Sequence, residues 1–209
     1  AKQRLADVML RVPYDKTYAY MQDSTGEYIN EQVVLFGPYQ QETWQIAYNP
    51  EKLDAVETVA VFQYNRIGVE IDTLPDFYLT SAFGGRMREQ VRHYTNVADA
   101  FEAMRKGEVS AVMGMRSEID HELAKSENAM FEAAGNGFPG IGKQVWDVGM
   151  AIKHTHRQLG YALEAIIDRL VKTGEMNELM ASQKLRYSVP GYYREFLDEQ
   201  AIARAEGDL

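Results

Sequence analysis

The clearest periodicity in the chain lies between Arg66 and Arg116, where short apolar runs alternate with helical patterns. Residues 66–71 form a short β-rich run. Asp72-Thr-Leu-Pro75 then offers a cap and a helix-compatible proline, and the pattern over 77–83 continues as a helix to Gly84-Gly85. Residues 90–94 read as a second strand. Asn96 caps a helix over 97–106, in which Val97, Phe101 and Met104 fall at i, i+4 and i+7. Arg105 and Lys106 occupy the last turn and Gly107 lies just beyond it, before a strand over 109–115. Strands joined through single helices need crossovers, so a parallel α/β sheet is the economical reading.

The flanking patterns are strand-like before this unit and helical after it. Residues 6–13 predict a buried strand ended by Pro13. The runs 32–39 and 42–48 predict extended chain, with Gly37-Pro38 marking a bend between them. Beyond Arg116 the sequence predicts a helix over 118–125, a short strand over 130–134 and an extended run over 146–153. A strong helix follows over 157–173, with Leu159, Leu163, Ile166, Ile167 and Leu170 on one face and Gly174 as its stop. A second helix is expected over 176–186, and a charged, helix-compatible tail after Pro190-Gly191. The extended runs 32–48 and 145–153 bracket the central unit, the arrangement of a lobe inserted between two crossing strands. The corresponding division is 1–43 with 146–209 as lobe one and 44–145 as lobe two.

Composition narrows the function classes. The chain has 209 residues, 45% hydrophobic and 25% charged, as in ordinary globular proteins. A net charge of -9 argues against nucleic acid as a partner, because phosphate binding needs clustered Lys and Arg. Without cysteine there are no disulfides, thiolate metal sites or cysteine nucleophiles. No apolar run reaches the ~20 residues of a membrane helix. The four histidines are His93, His121, His154 and His156; a zinc site needs three or four convergent ligands, so solvated or capping roles are favoured and no metal is expected. No catalytic triad spacing, phosphate loop or nucleophile elbow is present, and no cofactor is expected. The glycines over 135–142 read as a turn-rich loop.

The stretches 6–10, 37–39, 66–70, 103–112 and 146–152 resemble, in order and spacing, the type II periplasmic solute-binding proteins. The resemblance implies a two-lobed α/β fold, with the N-terminal part of lobe one apparently missing from this chain. Within that superfamily, residues 7–13 and the Thr73-Leu-Pro75 turn look most like the J-type accessory proteins of quinoprotein methanol dehydrogenases. That narrower likeness implies a role in methanol metabolism and a periplasmic dehydrogenase as partner. In the amino-acid receptors of the superfamily, a loop after the first lobe-two strand and an aspartate at the end of the βαβ unit hold the ligand. Here those places fall at Asp72-Thr73 and Met115. An acidic residue repels a carboxylate, and Met115 cannot pair with an amine.

The expected ligand cleft is lined by Tyr39, Gln40 and Gln41, by Asp72 and Thr73, by Met115 and Arg116, and by Trp146 and Asp147. For Tyr39 and Trp146 the alternative is packing at the crossing strands, and for Arg116 an exposed cap. The tyrosine-rich segments 14–28 and 187–193 are candidates for a protein interface or for packing over lobe one. The expected function is a non-catalytic, periplasmic, solute-binding-protein-like accessory factor. The alternative is the substrate-binding receptor of an ABC transporter for a small polar solute. An enzyme would need an acid or base in the cleft, for which Asp72 and Asp147 are the candidates.

Overall fold

The computed structural model describes residues 6–15, 33–135 and 145–207, the last seven of these by their backbone alone. The chain divides into two compact units. The first comprises Ala1–Glu42, Val145–Gln183 and Tyr187–Leu209; the second comprises Thr43–Gln144 and Lys184–Arg186.

Five β segments and three α-helices of the described residues build the second unit. Strand β2 (Val33–Tyr48) enters it at Thr43; then come β3 (Ile67–Glu70), α1 (Leu74–Gly85), β4 (Val91–Tyr94), α2 (Val97–Arg105), β5 (Ala111–Met115), α3 (Arg116–Leu123) and the two-residue β6 (Glu132–Ala133). β3 lies between β4 and β5 and is parallel to both, with Ile67 opposite Val91 on one side and Ala111 on the other. β2 closes the far edge of β5 antiparallel, from Trp44 opposite Met115 to Tyr48 opposite Ala111. The chain therefore steps from β3 through α1 to β4, then back across β3 through α2 to β5.

Side-chain alternation divides the core between the two faces of this sheet. Ile46, Ile67, Val69, Ala111 and Met113 pack with Leu79 of α1. Ala47 and Val112 pack with Val97, Ala100, Phe101 and Met104 of α2 and with Ile119 of α3. Asn96 caps α2 by accepting from the Asp99 amide at 2.8 Å, and Gly107 takes the left-handed φ of 75° that ends the helix. Below α3, the fully buried Asn128 accepts from Arg105 Nη1 at 2.6 Å and donates to the Glu122 carbonyl at 2.8 Å, so one amide ties two helices to a turn.

β1 (Val8–Pro13), β7 (Val145–Lys153) and the first ten residues of β2 make the sheet of the first unit, with β7 between the other two. Helices α4 (Arg157–Thr173), α5 (Glu175–Ser182) and α6 (Gly191–Gly207) complete it. Phe36, Met150 and Ile152 form one cluster with Leu163 and Ile167 of α4. Val171, Met176 and Tyr193 form another. Gly174 joins α4 to α5 at φ 84°.

Several elements depart from the sequence reading. β1 is not a buried strand: Met9 and Leu10 are 65% and 57% exposed. Among the described residues β1 pairs with β7 alone, and its ladder breaks between Met9 and Val12, where Arg11 has φ 64°. β2 runs unbroken through Gly37-Pro38, where the Gly37 amide donates to Glu164 Oε1 at 2.8 Å, a partner on α4. The strand over 130–134 shrinks to Glu132–Ala133. α1 breaks at Ala82–Gly84, with Phe83 at φ 51°. On α4, Leu159 and Ile166 are exposed, and the buried positions are Gly160 and Val171. The loop over 135–142 lies, apart from Gly135, outside the described residues.

Candidate ligand-binding site

Ligands of open α/β sheets bind beyond the carboxyl ends of the parallel strands, where helix N-termini present free amides. In the second unit those ends are the β3–α1 turn and the β5–α3 junction. The turn is built by its own polar side chains. Asp72 is exposed and left-handed at φ 59°. Thr73 Oγ1 donates to the Glu70 carbonyl at 2.6 Å and accepts from the Asp76 amide at 3.5 Å. Asp76 is only 6% exposed. Its Oδ2 accepts from the Asp72 amide at 2.9 Å, and its Oδ1 lies 2.9 Å from Nε2 of His93 on β4.

At the β5–α3 junction Met115 is buried and lies opposite Trp44, whose ring is 5.7 Å from that of Tyr78. Burial pushes the Tyr78 phenol above its ordinary range. Arg116 starts α3 with Nε 3.8 Å from Asp120 Oδ2, and Arg186 approaches the same oxygen at 3.8 Å. Arg116 Nε is buried without a hydrogen-bond partner among the described residues.

The remaining sequence candidates belong to the first unit. Tyr39 Oη accepts from the Arg11 amide, freed by the β1 irregularity, at 2.9 Å. Gln40 is buried and donates through Nε2 to Glu42. Asp147 Oδ1 accepts from Gln41 Nε2 and from the Gly191 amide, each at 3.1 Å. Arg194 donates to Gln41 Oε1, and the Gln41 amide donates to the Ser188 carbonyl at 2.8 Å. Asp147 therefore anchors the N-terminus of α6 to β2 and β7. Trp146 is buried. Nearby, burial and then the Asp147 charge push the Tyr187 phenol up to about 12. Tyr187 and Tyr193 pack in the α4–α6 cluster while Tyr192 is exposed. Residues 16–28 of the other tyrosine-rich segment lie outside the described residues.

Sequence reasoning missed the Asp76–His93 pair. A threonine followed three residues later by an acid, as in Thr73 and Asp76, is a capping signal that marks Asp76. Nothing in the sequence brings His93 to it; that contact requires β4 to lie beside β3. Among the described residues no group of three or more His, Asp or Glu side chains could hold a metal ion, and no helix is long and apolar enough to cross a membrane.

No family model matches the chain, and no curated protein matches it. Solved structures do. An ancestral arginine-binding protein bound to glutamine matches at 17% identity and TM-score 0.60, over 72% of this chain and 63% of its own. An amino acid ABC transporter substrate-binding protein from Streptococcus pneumoniae bound to L-arginine matches at 15% identity and TM-score 0.63, over 73% and 61%. A histidine kinase sensor domain with similarity to periplasmic binding proteins matches at 12% identity and TM-score 0.66, over 87% and 72%. The chain thus spans less than two thirds of the first two. Its mixed α/β fold is that of the periplasmic-binding-protein-like structures.

Proposed function

We propose that the chain is a non-catalytic, periplasmic, solute-binding-protein-like receptor for a small polar solute. The observation that carries this reading is the pairing of a solute-receptor fold with polar groups at the carboxyl ends of adjacent parallel strands, Thr73 after β3 and Arg116 after β5. A binding role also fits the chemistry. The nearest approach to an acid–base pair, Asp76–His93, has no nucleophile bonded to it among the described residues. The proposed ligand face lies in the second unit and comprises Asp72, Thr73, Met115 and Arg116. Thermal-shift titration against a panel of amines, polyols, sugars and amino acids tests the reading. A saturable rise in Tm with one class supports it, since a ligand that binds only the native state stabilises by mass action. A flat response to every class through millimolar concentrations counts against it.

The second reading is an accessory factor that binds a quinoprotein methanol dehydrogenase. It draws on the likeness of residues 7–13 and 73–75 to the J-type proteins and on Met115, an apolar residue where an amine would need a charged partner. Co-purification with a dehydrogenase from native periplasm is its test, and recovery of none under conditions that preserve complexes removes it.

A further inference from the structure

We propose that the β3–α1 turn is closed to anions, and that His93 is the positioning residue that keeps it closed. This rests on the receptor reading and narrows its solute to one that presents no carboxylate to this turn.

A helix N-terminus binds anions through free first-turn amides and the positive end of the dipole. Here the chain uses part of that donor set itself and places two carboxylates beside the rest. The Asp72 amide is taken by Asp76 Oδ2, and the Asp76 amide points to Thr73 Oγ1. Pro75 has no N–H, and the Phe77 amide already donates to the Thr73 carbonyl at 3.0 Å. Of the amides from Asp72 to Phe77, those of Thr73 and Leu74 have no partner among the described residues, so the closure rests on the two acidic side chains beside them. The dipole is answered by the buried Asp76 carboxylate, and Asp72 adds a second negative charge on the exposed side. A carboxylate arriving here would meet two acidic side chains.

His93 determines whether this closure holds. The Asp76 carboxylate is almost fully buried, and a buried carboxylate must be hydrogen-bonded to stay charged. Oδ2 is committed to the Asp72 amide; Oδ1 depends on His93 Nε2 at 2.9 Å. The imidazole comes from a different strand, so it fixes the rotamer of Asp76, and Asp76 in turn holds Asp72 in its left-handed conformation. Arg116, after the neighbouring strand, is the cation an acidic solute would need, and it shares Asp120 with Arg186.

Two measurements on the full chain decide the matter. The first titrates L-arginine against agmatine, the same guanidinium ligand without its carboxylate, by calorimetry. The expected result is binding of agmatine at least about tenfold tighter than L-arginine, a difference of ~1.4 kcal/mol. Equal or tighter binding of L-arginine overturns the inference while leaving the receptor reading intact. The second follows amide exchange without ligand. His93→Ala should speed exchange at Asp72 and Asp76 by about tenfold or more, and His93→Gln, which keeps a donor, should restore much of the protection. Unchanged exchange in His93→Ala overturns the positioning role. If neither ligand binds while the exchange result holds, the closure of the turn stands and the receptor reading is decided by the wider thermal-shift panel. A fall in the agmatine-to-arginine preference in His93→Ala is the signature that a merely structural histidine would not give.

Discussion

At the residue scale, two positions in the first unit are decided by contacts the sequence does not display. Gly160 is the fourth residue of α4, inside the helix, where alanine is normally favoured by about 1 kcal/mol. A Cβ there would sit 2.2 Å from Cε2 of Phe36. That ring is buried and held edge-on by Tyr161 at 5.3 Å, so it has little room to give. Gly160→Ala is therefore expected to destabilise by about 1–3 kcal/mol in urea unfolding, whereas Gly135→Ala, which meets nothing within 4 Å, stays within about 0.5 kcal/mol of the parent. Tyr187 is the second position. Its folded pKa of about 12 lies above the ordinary value of 10, so its contribution is fully present below pH 10 and is lost as pH rises from 10 to 12. Because the residue is only half-buried, the loss is discounted for solvent screening to ~1 kcal/mol. Its hydroxyl is buried without a hydrogen-bond partner among the described residues. Tyr187→Phe should thus gain about 1 kcal/mol at neutral pH and make the alkaline decline shallower, as read by urea midpoints across that range.

At the element scale, the candidate residues of the first unit bind structure before they bind anything else. Asp147 reads from sequence as a lining residue at the end of an extended run. In the fold its carboxylate bonds the Gly191 amide and Gln41, and Gln41 takes Arg194, so three elements meet on one side chain. Asp147→Ala removes a capping acceptor, a loss of about 1–2 kcal/mol. Amide exchange in the first turn of α6 should rise roughly tenfold, with amides of β5 in the second unit unaffected. β1 teaches the same lesson from the opposite direction. Its apolar run reads as a buried strand, but apolar content does not say how many neighbours a strand has. Met9 and Leu10 are exposed because β1 lies at the end of the strand order. α1 was legible at its start through Thr73 and Pro75, and its break at Ala82–Gly84 had the Gly84-Gly85 pair as its only signal.

At the scale of the whole molecule, the two units differ in how they are assembled from the chain. Both core clusters of the second unit draw all their residues from the single stretch 43–144. The first unit is collected from three separate stretches. The segment 43–144 expressed alone is therefore expected to fold cooperatively, with dispersed amide resonances and a single urea transition, while the remaining pieces without it do not. An unfolded 43–144 would show that its core needs the rest of the chain.

The sequence by itself determined the local alphabet of this protein. Helix starts at Thr73 and Asn96, stops at Gly107 and Gly174, and the strand–helix alternation from Arg66 to Arg116 follow from capping, backbone freedom and apolar period, which act over a few residues. Only the tertiary structure decided which strands became neighbours. That choice laid β4 beside β3 and brought His93 to the buried Asp76 at the start of α1. It also spent the Asp147 carboxylate on α6. Both outcomes depend on contacts between residues distant in sequence, where the local pattern carries charge and polarity but no partner.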